Sequence, residues 1–105
     1  MKEASWYGVR SVFRHHLLEV YEERITLWRA QSLDEAIERA EVEALEYCLH
    51  LDEVEYVRFS EAYGFDDALE DGVEVFSLMR GSRLPPGQYI ERFFATGSES
   101  TGFIQ

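Results

Sequence analysis

The sequence predicts an α+β domain: an antiparallel four-stranded sheet made of two hairpins, one long helix on one face, and a short C-terminal helix, in the order β-β-α-β-β-α. Three observations predict it. Two aromatic and β-branched stretches precede residue 31, a capped amphipathic stretch follows them, and two further extended stretches flank a polar loop. The 105 residues suit one domain, assigned to residues 1–95 with a C-terminal tail at 96–105.

Trp6 to Phe13 reads as the first strand, and residues 14–19 as its connection to Val20–Ala30. In that second strand Tyr21, Ile25 and Leu27 fall on one face under period-two alternation. The long helix runs from Ser32 to about Leu51. Ser32-Leu33-Asp34-Glu35 is a capping box, in which the Ser32 hydroxyl accepts from the Glu35 amide and Glu35 reaches back. Asp34 and Glu35 also suit the positive end of the helix dipole. Leu33, Ala36, Ile37, Ala40, Ala44, Tyr47, Cys48 and Leu51 form one apolar stripe. Val54–Phe59 and Val73–Met79 read as the second strand pair, joined by a polar loop from Ser60 to Gly72. Pro86 suits the first turn of a helix over about Gln88–Ala95, which would pair Tyr89 with Phe93 and Ile90 with Phe94.

Composition narrows the function classes. A hydrophobic fraction of 46%, with two Trp, six Tyr and seven Phe, supports a packed core and excludes intrinsic disorder. No apolar run approaches the roughly 20 residues of a membrane span, and the opening Met-Lys-Glu-Ala-Ser-Trp-Tyr lacks the apolar stretch of a signal peptide. A single cysteine, Cys48, forms no intrachain disulfide, so the expected location is cytoplasmic. The net charge is −11, and residues 34–74 hold 15 acids against only Arg39 and Arg58 as bases. That acidic middle disfavours nucleic acid and anionic lipid as partners. It is compatible with a basic protein partner, and equally with solubility alone.

Several stretches resemble a bacterial family known as domain of unknown function 4288. They are Trp6-Tyr7, Tyr21-Glu22-Glu23-Arg24-Ile25, Ser32-Leu33-Asp34-Glu35-Ala36-Ile37 and Asp71-Gly72-Val73-Glu74-Val75-Phe76-Ser77. The resemblance covers most of residues 6–80. It implies a bacterial source and a compact α+β domain, and it carries no activity and no catalytic residues.

The sequence shows no nucleophile elbow, phosphate-binding loop or dinucleotide turn, and no cofactor is expected. His15 and His16 are adjacent, and His50 lies about 200° round the helix from Cys48, so no metal site is expected. Cys48, on the apolar stripe, reads as a packed hydrophobe rather than a nucleophile.

Two surfaces stand out instead. Alternation that points Tyr7, Val9, Phe13, Tyr21, Ile25 and Leu27 at the helix turns Trp6, Arg10, Arg24 and Trp28 the other way, with Tyr56 and Arg58 from the third strand joining them. Such a Trp/Arg face could hold an anionic ligand or a partner, or simply pack on itself. A second apolar line, Val42, Leu45 and Leu49, lies opposite the core stripe and suggests a subunit interface or a seat for the terminal helix. The expected function is a non-enzymatic protein-interaction module, working as a homodimer. The alternatives are a small anionic-ligand binding domain or unassigned enzyme using the Trp/Arg face, and an acidic inhibitor or immunity-type protein.

Overall fold

The computed structural model describes residues 4–65 and 68–94. Its elements are β1 (Ser5–His15), β2 (Val20–Ala30), α1 (Leu33–Leu49), β3 (Val54–Phe65) and α2 (Pro86–Phe93), in the order β-β-α-β-α. The sheet has three strands, not the expected four, ordered β2-β1-β3. Both outer strands run antiparallel to β1. They are therefore parallel to each other, and α1 is the crossover between them.

The helix forms where the capping box predicts. Ser32 is extended at the N-cap (φ −154°, ψ 162°), and its hydroxyl accepts from the Glu35 amide at 3.1 Å. Ala36, Ala40 and Ala44 are the residues of α1 that bury fully. Small side chains there let the helix lie close to the sheet, and larger strand residues fill the space between. Tyr7, Val9 and Ala30 pack with Ala36 and Ala40; Phe13 and Tyr56 pack with Ala44. The Phe13 ring meets Tyr47 edge-on at 5.1 Å and Tyr56 at 5.6 Å.

The fourth strand is the main correction. Residues 73–80 are not a strand. β3 instead continues through Ser60–Phe65, taking in the start of the expected loop, and occupies the remaining edge of β1 along its length. With both edges of β1 paired, Val73–Phe76 crosses the sheet face away from α1. A Cβ on Gly8 would stand 1.8 Å from the Val75 carbonyl oxygen, so the crossing chain rests directly on that glycine. Phe76 lies under the Arg10 guanidinium (5.2 Å) and 6.4 Å from the Tyr63 ring, and the Tyr63 hydroxyl donates to Glu74.

α2 begins at Pro86, as its sequence suggests, and pairs the Tyr89 and Phe93 rings at 4.7 Å. It packs on no strand and not on α1; its neighbour is Arg80, which donates to the Tyr89 hydroxyl and stacks on Phe93. The tail 96–105 lies outside the described residues.

Candidate interaction surfaces

Register decides where the Trp/Arg residues go. The hairpin connection is residues 16–19, and His15 pairs with Val20, Arg10 with Ile25 and Tyr7 with Trp28. Residues directly opposite share a face of the sheet. Odd positions of β1 therefore sit with even positions of β2. Arg24 and Trp28 face α1, whereas Trp6 and Arg10 face away, and the expected Trp/Arg face is split between two sides. Tyr56 pairs with Phe13 and is buried under α1. Arg58 sits in an irregularity of β3 at φ 63° and lines a cleft beside Glu38 and Val42 of α1, away from Trp6 and Arg10.

Arg24 and Arg10 each have local partners, although the Arg10 Nε is buried without one. Arg24 donates twice to Glu43, at 3.1 and 3.2 Å, and lies 3.8 Å over the Tyr47 ring. Arg10 donates to Glu61 at 2.8 Å and stands 3.5 Å from Glu23. The Trp28 indole donates to Thr26 at 2.7 Å, with Arg39 5.2 Å over its ring. These are self-contained polar contacts, and they leave no convergent set of donors for an anion.

A part-buried cluster fills the gap between β2 and α1. Glu22 accepts from the Tyr47 hydroxyl at 2.9 and 3.0 Å, and His15 Nε2 is 2.8 Å from the same carboxylate. Burial, then the Glu22 carboxylate, pushes the Tyr47 phenol up to about 12. It stays protonated as a donor, and with the carboxylate shared between two partners the cluster works as a brace. Beside it Cys48 is partly buried, and burial raises its thiol pKa, which opposes nucleophilic use. His16 pairs with Glu55 at 2.8 Å on the surface. Among the described residues no group of three or more His, Cys, Asp or Glu is placed to hold a metal ion, and no helix is long and apolar enough to cross a membrane.

Among the apolar surfaces left open, two lie on the sheet and helix of the main body; Ile90, Phe93 and Phe94 of the terminal segment are exposed as well. On α1, Val42, Leu45 and Leu49 are 59, 43 and 80% exposed. The terminal helix does not cover them. Shallow clefts of ≈ 330 and ≈ 490 Å³ flank this line: one beside Trp28 and Glu43, the other beside Glu38 and Arg58, with Arg39 and Val42 in both. On the sheet, residues 73–76 cross the face away from α1 at Gly8, with Phe76 beside Arg10 and Tyr63. The β2 residues Tyr21, Ile25 and Leu27 remain 63, 48 and 42% exposed. Sequence reading grouped these three correctly on one face of the strand but turned them inward. The missing signal was the odd pairing sum of the hairpin, which the short connection before Val20 sets.

Comparison of the chain with protein-family models, curated proteins and solved structures found no match in any of the three.

Proposed function

We propose that the protein is a non-enzymatic interaction module whose recognition surface is the outer face of α1. The observation that carries this reading is the uncovered line Val42, Leu45 and Leu49. Each side chain of this kind contributes roughly 1.5–3 kcal/mol when fully buried, so a helix carrying three in water gains by acquiring a cover. The surroundings suggest the partner's chemistry. Six acids and one base, Arg39, lie along Leu33–Leu49, which favours an apolar centre in a basic rim. An inhibitor of a basic protein is one form such a module takes. The lone Cys48 supports a reducing compartment, and the resemblance to domain of unknown function 4288 supports a bacterial source.

The test is comparative affinity capture from a bacterial extract with the native chain and with Leu45→Glu/Leu49→Glu as baits. A protein held by the native bait, lost from the variant and released by added salt is the expected result. Equal capture by both baits would remove α1 as the recognition surface. Because both leucines are exposed, the variant should melt within about 0.5 kcal/mol of the native chain, separating lost binding from lost folding.

A further inference from the structure

We propose that a second copy of this chain adds to the outer edge of β2, antiparallel, about a two-fold axis through Thr26. β2 is a regular strand, Val20–Ala30, at the end of the sheet. Its interior holds no bulge, proline or positive φ. A long, flat edge flanked by exposed apolar side chains is a template for another strand, and closed two-fold pairing is the way to use it without polymerising.

The side chains select both the partner and the register. A two-fold axis normal to the sheet relates residues whose numbers sum to a constant, and residues opposite each other must share a face. With the axis at Thr26, Ile25 meets Leu27 of the other copy, and Glu23 meets Arg29 of the other copy, each contact occurring twice. On the α1 side Arg24 meets Trp28 of the other copy, a cation–π pairing. Moving the axis to Ile25 sets Glu23 against Leu27; moving it to Arg24 sets like charges against each other; moving it to Leu27 sets Ile25 against Arg29. Only the Thr26 register pairs charge with opposite charge and apolar with apolar. Both charged residues have room to respond: Glu23 is 61% exposed and 3.5 Å from Arg10, and the Arg29 side chain is exposed and makes no ion pair among the described residues. The outer face of α1 offers no such match to itself. Its acids would face acids, which is why the two surfaces suit different partners.

Sedimentation equilibrium of the full chain tests this through a charge exchange. The native chain should be a dimer. Glu23→Arg and Arg29→Glu should each weaken it by about tenfold or more, since each sets like charges opposite one another twice. An equimolar mixture of the two variants should regain native affinity, because every contact in the mixed dimer is again between opposite charges. Leu45→Glu/Leu49→Glu should leave the dimer intact, so failure of the α1 reading and failure of this one are distinguishable. Circular dichroism of each variant confirms its fold. A native chain that stays monomeric at high concentration overturns the proposal. So does a dimer indifferent to both charge changes, or a mixture that associates no better than either variant alone.

Discussion

The two edges of the sheet are built from strands of nearly equal length, and they are finished in opposite ways. β2 pairs with β1 residue for residue from Ser5↔Ala30 to His15↔Val20. β3 does not. Ser11 pairs with Ser60 and Phe13 with Tyr56, so Val57, Arg58 and Phe59 stand opposite the single residue Val12. Arg58 takes the left-handed conformation there. Such a bulge bends an edge and interrupts its row of unpaired amides and carbonyls, a common defence against unwanted strand addition. The cover differs too. Residues 73–76 cross over Gly8 and bring Phe76 beside Tyr63 of β3, whereas the outer side chains of β2 stay open. One edge is bulged, with the chain crossing the sheet face beside it, and the other is left regular, with Tyr21, Ile25 and Leu27 exposed. An undefended edge on a sheet whose other edge is defended is what the proposed pairing at β2 requires.

Both edges do share one device. Each outer strand is tied to α1 by a tyrosine and a glutamate. At β2, Tyr47 of α1 donates to Glu22; at β3, Tyr56 donates to Glu41 at 3.3 Å and lies 2.6 Å from Ser60, whose hydroxyl contacts the buried Ser11 at 2.8 Å. The contrast between the edges therefore lies outside the helix contact, and four substitutions break or sharpen it.

The largest effect should come from what the two edges have in common. Phe13, fully buried on the central strand, touches Tyr47 on one side and Tyr56 on the other. Phe13→Ala should cost about 3–5 kcal/mol in denaturant unfolding and loosen both edges together in hydrogen exchange. Loss confined to one edge would show that the strands are held independently.

Gly8→Val makes the covered half of the open face resemble the uncovered half. The added side chain collides with the Val75 carbonyl, so residues 73–76 must lift from the sheet. A cost of about 1–3 kcal/mol is expected, with faster amide exchange over 73–76 and unchanged protection in β2. Unaltered exchange in that segment would mean the crossing is not held by the glycine.

Tyr47→Phe removes the brace at β2 and leaves the one at β3. The expected loss near neutral pH is about 1 kcal/mol. The pH dependence has a definite sign. A phenol raised from 10 to about 12 in the fold binds its proton more tightly there than in the unfolded chain. Its contribution is therefore whole below pH 10 and is lost as pH rises through about 12. Thermal melts across that window should fall for the native chain and be flatter for the variant. Equal slopes would place the alkaline transition elsewhere, and Tyr56, raised chiefly by burial, is the next group to examine.

The smallest effect belongs to the bulge. Arg58→Gly relieves the left-handed backbone of a non-glycine residue, offset by glycine's greater freedom in the unfolded chain, and should stabilise by about 0.5 kcal/mol. A destabilisation of similar size would show that the arginine side chain, which lines the cleft beside Glu38 and Val42, contributes more than its backbone costs.

How much of this was legible in the sequence follows from the range of each interaction. The Ser32 cap, the middle of the apolar stripe at Ala36, Ala40 and Ala44, and the Pro86 start are local, and they hold in the fold, whereas the stripe's ends, Leu33 and Leu51, are exposed. The alternation of β2 correctly groups Tyr21, Ile25 and Leu27, because period two is also local. Which face they occupy depends on pairing with β1, and apolarity misleads because the α1 side of that strand is filled by a polar brace around Glu22 and Arg24. The fourth strand failed for a similar reason. Val73–Met79 has the composition of a strand, yet it pairs with no strand: β3 runs on through Phe65 as the second neighbour of β1, and Val75 lies across the sheet face on Gly8 instead. The candidate Trp6/Arg10/Arg24/Trp28/Arg58 face dissolved with the register on which it rested, whereas Val42, Leu45 and Leu49, placed by helical geometry alone, are exposed together.

The bulge in β3 inserts an even number of residues relative to β1, and this parity has a consequence for the chain's tolerance of deletion. Tyr56 and Ser60 both face α1 across it, so excising a neighbouring pair from Val57–Phe59 would leave every later side chain on its present side. Excising one residue would invert Tyr63 and Phe65 and ruin the core. The harmless-looking pair deletion is the dangerous one for assembly. It would give the molecule two straight edges instead of one, and a subunit that can be extended at both ends has no largest oligomer. On the proposed pairing of β2 edges, the irregular turn around Arg58 acts as a terminator for association.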